Sequence, residues 1–335
     1  MSADAEAVGR TVRRLRRAAG LKQDQLAKQA AVSRQAIGAL EAGRHLPRVD
    51  AAVAIARALG TTVESLLAPT PAGVVDIHGI KVADGNAVRA AYVGNNTVAM
   101  PLLTPQDGEV WAVPDALVQD GHAHPLPGTD LDALVVAGCD PALGMLAALA
   151  PRHGPRRLLP IATSSATART ALANNRAHVA IVHDTSIAAP ANNVQRIRLA
   201  SWRTGLAAPT KSAIDDALNG HGLVIQRADG AAAQSAYERT LTDAGLSVPA
   251  GPLAGGHRDA ARRATDDGIA AVTIEPTALA TGLTFHPLET HTVELWIADH
   301  AVEHPGLAVL GELLTSTQLR TCLNVLPAYE LEVAA

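Results

Sequence analysis

Apolar positions in the first 67 residues recur at helical spacing in short bursts, most of them closed by a glycine. Val8, Val12 and Leu15 predict a helix over Ala5–Ala19 with Gly20 as its stop. A second helix is expected over about Asp24–Ala30. A third opens at Ser33, a favourable N-cap, and runs to Ala42 before Gly43. Pro47 precedes a fourth, Asp50–Leu59, stopped by Gly60, and Thr61-Thr62-Val63-Glu64 has the capping-box spacing that starts a fifth. After the linker Ala68-Pro69-Thr70-Pro71-Ala72-Gly73 the period changes. β-like runs are expected over 74–82, 87–93 and 97–102, separated by Asp84-Gly85 and Gly94-Asn95-Asn96, with Trp111 and Val113 just beyond. Asp120–Asp130, with two histidines, Pro125 and Pro127, reads as loop. From Leu131 apolar strands (134–138, 158–161, 178–183, 222–226, 269–274, 293–297) alternate with helices (141–149, 166–173, 231–244, 303–319). That alternation argues for parallel sheets covered by helices on both faces. The expected organisation is a five-helix domain over 1–68, a linker and small β-rich segment over 69–130, and an α/β domain over 131–335.

Composition narrows this picture. A chain of 335 residues exceeds one ordinary domain. Hydrophobic residues make up 48% but aromatics only 2%, so the cores must be built from Ala, Val, Leu and Ile. Residues 1–20 are Arg-rich rather than apolar, unlike a secretory signal. The absence of a long uncharged apolar run argues against a membrane span, so a cytoplasmic protein without membrane contact is expected. Cys139 and Cys322 are the only cysteines, which excludes a disulfide framework. There are thirteen histidines but no tight His/Cys spacing, so neither a metal centre nor a cofactor is expected. The net charge of −4 is unevenly spread. Residues 1–67 hold eleven Lys or Arg against six Asp or Glu, a net of +5, leaving −9 for the rest. A basic head on an acidic body fits one end that faces phosphates.

The head carries a more specific signal. Two helices packing at a steep angle need small residues and apolar anchors at the crossing, and Leu26, Ala27, Ala30, Val32, Ile37 and Leu40 supply them. The next helix then presents Ser33, Arg34 and Gln35 at its N-terminus, where Arg can pair with guanine and Gln with adenine in a major groove. Gln23 begins the preceding helix, a favourable place for a phosphate. Leu21-x-Gln23, Gln25-Leu26-Ala27, Val32-Ser33, Ile37, Leu40-Glu41-x-Gly43 and Ile55-Ala56-x-Ala58-Leu59-Gly60 together resemble the Cro/C1-type (XRE) helix-turn-helix family over about Val8–Leu67. The resemblance implies a double-stranded DNA operator. It puts Gln23, Ser33, Arg34, Gln35 and Ala39 at groove or backbone-contact positions, and Arg44 and Arg48 at phosphates. It makes Arg16 and Glu41 a structural pair. It also implies a homodimer, or a higher homo-oligomer, on half-sites about 34 Å apart. Two positions depart from the pattern. Ala31 stands where the turn usually has Gly, which is compatible with a turn of negative φ. Lys22 replaces the usual Thr or Ser cap, which favours a phosphate contact.

In open parallel sheets ligands bind at the carboxyl ends of strands. Three loops occupy such places: Gly138–Ala142, Thr163–Thr167 and Arg227–Ala231. Val136–Leu143, Ala177–Asp184, Arg203-Thr204-Gly205-Leu206 and Phe285-x-Pro287-Leu288 resemble periplasmic-binding-protein-like (type II) domains, including a molybdate-binding-protein-like group fused to regulators. The resemblance covers about Leu131–Leu326. It implies two α/β lobes with crossovers near 202–209 and 288–298 and a small-molecule effector between the lobes. Candidate ligand contacts are Cys139, Asp140, Thr163, Ser164, Ser165, Arg203, Asp229, Gly230, Ala231 and Glu275, with Arg203 free to pair with ligand or with Asp184. The third loop lacks the hydroxyls and second Arg of the family's Arg-Gly-Ser-Gly-Thr-Arg and adds Asp229, which argues against a bare oxyanion.

Three other readings compete. The C-terminal half is an oligomerisation module without ligand, or Cys139, at a helix start that favours a thiolate, is a redox sensor. An enzyme would need a catalytic set. Cys139 has no assignable His partner in the sequence, and G-x-S-x-G, P-loop and GxGxxG signatures are missing, so no catalytic residues are expected.

Overall fold

The computed structural model describes residues 3–67, 73–102, 113–153, 157–185 and 194–332; Trp111 and the linker residues 68–72 lie outside them. The chain divides into two compact units, Met1–Gly73 and Val74–Ala335.

The first unit is five helices: α1 Ala3–Ala18, α2 Gln23–Gln29, α3 Arg34–Glu41, α4 Val49–Ala58 and α5 Val63–Leu67. Their limits match the sequence expectation to within about two residues, the usual scatter at helix ends. Val8, Val12, Leu26, Ile37, Leu40, Ile55 and Leu66 form one buried core. Ser33 caps α3, its side chain accepting from the Ala36 N–H at 3.0 Å. Lys22 has no acceptor in its side chain, and Gln25 Oε1 instead accepts from the Lys22 backbone N–H at 2.7 Å. The turn between α2 and α3 corrects one expectation: Ala31 has φ +51, inside the left-handed region. That conformation costs an L-residue roughly 1–2 kcal/mol. Ala31→Gly is therefore expected to stabilise this unit by about 1 kcal/mol, net of the larger entropy glycine loses on folding. Thermal unfolding should show its midpoint rising about 4–8 °C. An unchanged or lower midpoint would mean the turn carries no such strain.

The second unit begins with a five-stranded sheet of β1 Val74–Val75, β2 Ala87–Val93, β3 Asn96–Pro101, β4 Ala116–Gln119 and β5 His122–Pro125, in the order β1-β3-β2-β4-β5. The turn of the β4–β5 hairpin and β5 itself lie in the stretch Asp120–Asp130 expected to be loop. The turn is Asp120-Gly121, both residues at positive φ, a hairpin signal masked by the surrounding prolines and histidines. One face of the sheet buries Val74, Val88, Ala90, Ala99, Ala116 and Val118. Ile77, Ala91, Val93 and Val98 join the core of the adjoining α/β layer.

That layer comprises β6 Leu134–Gly138, α6 Ala142–Leu149, β7 Leu158–Ala162, α7 Ser165–Ala173, β8 Val179–Asp184, β9 Val194–Ala208, α8 Lys211–Leu218, β10 Val224–Arg227 and α9 Ala232–Asp243. It continues with β11 Leu253–Ala254, α10 His257–Asp267, β12 Ala270–Ile274, α11 Glu275–Ala280, β13 Thr284–Ala298, α12 Gly306–Thr315, α13 Thr317–Asn324 and β14 Glu330–Leu331. The strands run β11-β10-β12-β9-β13-β8-β6-β7, with β14 on β9. β6, β7 and β8 are mutually parallel, as are β10, β11 and β12, while the 15-residue strands β9 and β13 pair antiparallel through both groups. Val293–Ile297 of β13 lies beside β8, whereas Thr204–Ala207 of β9 lies beside β12. Two α/β lobes therefore share two crossover strands, the architecture the resemblance implied. Register shifts interrupt the β9–β13 pairing at Pro287/Glu289 and Val293/Glu294.

Three helices, α8, α10 and the short α11, are not expected from the sequence. The buried face of α10 is Ala260, Ala261 and Ala264 among Arg and Asp, too weakly apolar to show a period, and α8 buries only Ile214 and Ala217. The single helix expected over 303–319 is two, broken at Ser316, whose Oγ caps α13 by accepting from the Leu319 N–H at 3.1 Å.

Candidate functional site

Two surfaces hold the residues singled out by sequence. On the helical unit, Ser33, Arg34 and Gln35 stand exposed at the start of α3, Ala39 is half-buried one turn on, and Lys22, Arg44 and Arg48 are exposed. Arg48 Nε lies 3.8 Å from Asp50. Gln23 differs from the others: its Nε2 donates to Glu41 Oε2 at 2.9 Å, tying it to an internal network. In that network Arg16 Nε and Nη2 donate to the two Glu41 oxygens at 2.5 and 2.9 Å, and Arg16 Nη1 donates to the Leu21 carbonyl at 2.7 Å. Burial works against the Glu41 carboxylate, but the hydrogen bonds from Arg16 and Gln23 prevail and hold it below the usual glutamate range. The pair locks the end of α3 to α1, so the exposed residues of α3 sit on a fixed support.

The second surface is where the lobes meet. Gly138 ends β6 so close to β8 that a Cβ there would stand 2.5 Å from the Ile181 carbonyl oxygen, which puts the following residue, Cys139, beside the end of β8. Cys139 Sγ is 3.1 Å from His183 Nε2, 44 residues away, so the thiol does have a histidine partner that the sequence alone left unassigned. Desolvation nonetheless pushes the Cys139 thiol up to about 11, against the thiolate expected at a helix start. This is the opposite of the lowered value an activated nucleophile needs. The Ser165 Oγ accepts from the His183 N–H at 3.1 Å. Trp202, on β9, lies against His183 with ring centroids 4.5 Å apart. From the other lobe, His257 at the start of α10 approaches the same place, its ring 6.1 Å from that of His183. The ligand-capable atoms of Cys139, His183 and His257 all lie within 4.8 Å of one another. Both ring nitrogens of His257 and Nε of Arg227 are buried without a hydrogen-bond partner among the described residues.

Several sequence candidates turn out to be occupied by the fold itself. Asp140 is buried and accepts from Ala142 N, Trp202 Nε1 and Tyr329 OH at 2.7, 2.9 and 2.8 Å, which leaves it little capacity for a ligand. Arg203 pairs with Glu275, Nε donating to Oε2 at 2.5 Å and Nη2 to Oε1, so the two candidates satisfy each other; Asp184 instead faces Arg169 at 3.8 Å. Ser164 caps α7, accepting from the Thr167 N–H at 3.1 Å. Thr163 is half-buried beside it, and Asp229 and Gly230 are exposed while Ala231 is buried. A Cβ on Gly230, which has φ +76, would lie 3.1 Å from Ala166 of the opposite lobe, so the lobes are in contact here. His183, His257 and His291 are absent from the sequence candidates, whereas Arg227 opens the third candidate loop. The available signal was the histidine that ends the apolar, buried run Val179–His183 of β8; in β13, His291 follows exposed and half-buried polar positions and gave no such signal.

A family profile described as a helix-turn-helix domain matches residues 7–68. The restriction-modification controller protein C.AhdI from Aeromonas hydrophila is 31% identical over 19% of this chain and 98% of its own, with a TM-score of 0.19. A putative phosphate ABC transporter substrate-binding protein from Clostridium perfringens, with bound phosphate, is 9% identical over 61% of this chain and 100% of its own, at 0.48. The regulatory domain of CcmR from Synechocystis, in complex with 2-PG, is 13% identical over 55% and 98%, at 0.43. No curated protein matches the chain.

Proposed function

Residues 7–68 are a helix-turn-helix domain, and from that premise we propose that the chain is a transcription regulator whose grip on operator DNA is set by a small molecule held between the two α/β lobes. Arg34 and Gln35 read base edges, Ser33 and Ala39 lie along the groove, and Lys22, Arg44 and Arg48 meet phosphates. Gln23 takes part through its amide, held in place by Glu41. The protein acts as a homodimer on two half-sites. The observation that supports an effector is the junction of the lobes, where a buried imidazole and a buried guanidinium nitrogen have no partner among the described residues. Buried polar groups are nearly always hydrogen-bonded, and one left unpaired costs about 1–3 kcal/mol. A ligand that supplies the partners stabilises the closed lobes, and it regulates only so far as it binds the closed form better than the open one.

One experiment addresses both ends. Fragments selected by the protein from random-sequence DNA serve as operator. Arg34→Ala is expected to lose about 1–3 kcal/mol more on selected than on random DNA; an equal loss would make Arg34 a backbone contact. Compounds that raise the melting temperature in a metabolite screen are then added to the same binding assay. If stabilising compounds leave operator affinity unchanged, the lobes serve assembly instead.

A further inference from the structure

We propose that Cys139, His183 and His257 bind one thiophilic transition-metal ion, zinc(II) or copper(I), that bridges the two lobes. The first two ligands come from one lobe, at the ends of β6 and β8, and the third from the other lobe, at the start of α10.

Geometry comes first. With bonds of about 2.3 Å to sulfur and about 2.0 Å to nitrogen, tetrahedral ligand atoms stand about 3.5 Å apart. Cys139 Sγ and His183 Nε2 are already at 3.1 Å, and the whole set lies within 4.8 Å. An adjustment of His257 on the order of 1 Å closes the site. That adjustment breaks no hydrogen bond among the described residues, because neither ring nitrogen of His257 is engaged there although the residue is only 6% exposed.

The protonation pattern is fixed from outside. Glu289 is tied to Arg239 at 2.9 and 2.8 Å, and its Oε2 lies 3.0 Å from His291 Nε2. A carboxylate only accepts, so His291 Nε2 carries the proton and its Nδ1 is a lone pair. His291 Nδ1 is 2.9 Å from His183 Nδ1, so His183 Nδ1 must donate. That leaves the His183 Nε2 lone pair directed at Cys139. Carboxylate-to-histidine chains of this kind orient metal-ligating imidazoles.

Charge selects the ion. Arg227 is close enough to act electrostatically on Cys139, His183 and His257. On binding, Cys139 releases its thiol proton to solvent and becomes a thiolate. With copper(I) the metal–thiolate pair is then neutral. With zinc(II) one positive charge remains, which an anion in the open fourth position offsets. A soft sulfur and two imidazoles exclude magnesium and calcium as occupants.

The test uses the full-length protein, stripped with a chelator and titrated with cobalt(II) as a spectroscopic probe, with zinc(II) in competition and copper(I) against a competing chelator. The expected result is one equivalent bound, with a sulfur-to-cobalt charge-transfer band and the intense visible bands of a tetrahedral ion. Cys139→Ser should abolish the charge-transfer band. Glu289→Gln should weaken binding about 10–100-fold, His257→Ala at least as much, and Cys322→Ser should change nothing. Circular dichroism and unfolding of the metal-free variants separate lost ligation from lost folding, and Glu289→Gln, outside the ligand set, tests the site where His257→Ala fails to fold. Failure of the wild type to bind one equivalent of any of the three ions overturns the proposal, as does a charge-transfer band that survives Cys139→Ser. The ion's role as effector rests on the regulator reading above, and the site itself does not. Metal that binds but leaves operator affinity unchanged keeps the site and removes only that role; metal that fails to bind leaves the effector reading open to another ligand.

Discussion

Glu41→Ala is expected to destabilise the helical unit by about 3–5 kcal/mol, the usual cost of removing one member of a buried ion pair. Glu41 is 4% exposed and sits among donors: two from Arg16, one from Gln23 and, more distantly, Arg13 Nε at 3.8 Å. Without the carboxylate, Arg16 keeps only the Leu21 carbonyl, and its charge stays largely buried. A domain of this size has only about 5–10 kcal/mol to lose, so α1–α5 should open at or near physiological temperature. Hydrogen exchange of the full chain, resolved to residues 3–67, would show lost protection there, with residues 74–332 unchanged. Arg16→Met combined with Glu41→Leu should recover most of the loss, because an apolar pair removes both desolvation penalties. A single-variant loss below about 1 kcal/mol would show the pair to be as weak as a surface one. Acid should act through the same residue. The folded state holds Glu41 below its usual range, so protons bind the unfolded chain more readily. The stability this carboxylate contributes is complete above the ordinary glutamate value of about 4.3 and is lost as pH falls through its lower folded value. DNA binding should fail over the same acid interval as the helical unit.

How much of this was legible in the sequence differs sharply between the two units. The five helices were readable because each announces itself locally: Ser33 as a cap, Gly20, Gly43 and Gly60 as stops, apolar residues at helical period between them. Even there the turn misled, since Ala31 adopts a positive φ that its side chain disfavours and that only the packing of α2 on α3 imposes. The lobes were readable as alternating strands and helices, and the crossovers were placed close to β9 and β13, though not their full length. The junction was readable only in part, through Cys139 and the loop that opens at Arg227, for two physical reasons. Residues chosen for their chemistry were already used by the fold: Arg203 and Glu275 bind each other, and Ser164 caps a helix. The groups at the lobe junction assemble only in three dimensions, from the ends of β6, β8 and β10 and the start of α10. Metal-ligand spacing detects ligands on one hairpin or helix; Cys139 and His183 stand 44 residues apart and meet only because β6 and β8 are neighbours in the sheet.

Asp140→Ala is the second large effect, expected at about 3–5 kcal/mol in the α/β unit, because three buried donors lose their acceptor at once. They come from distant parts of the chain: Ala142 N at the start of α6, Trp202 Nε1 on the crossover strand β9, and Tyr329 OH beside β14. Asp140→Asn separates them. Its oxygen can still serve Ala142 and Tyr329, but its amide sets two donors against Trp202 Nε1–H, so a loss of about 1–3 kcal/mol is expected. The pH signature is opposite to that of Glu41. Burial outweighs the hydrogen bonds and raises the Asp140 carboxyl above the ordinary aspartate value. Its contribution is therefore fully present below the unfolded value of about 3.9 and declines as pH rises through the folded one. Acid should thus weaken the helical unit through Glu41 while Asp140 adds no acid lability to the lobes. The consequence at the lobe junction follows from Trp202, which Asp140 holds against His183 at 4.5 Å. Once freed, the indole no longer fixes the His183 ring, and the loop carrying Cys139 loses its anchor to β9. Near-ultraviolet circular dichroism of Trp202 and the cobalt(II) titration should then change together in Asp140→Asn, before the fold itself is lost. A variant that melts lower yet keeps both signals would confine Asp140 to stability and detach it from the junction.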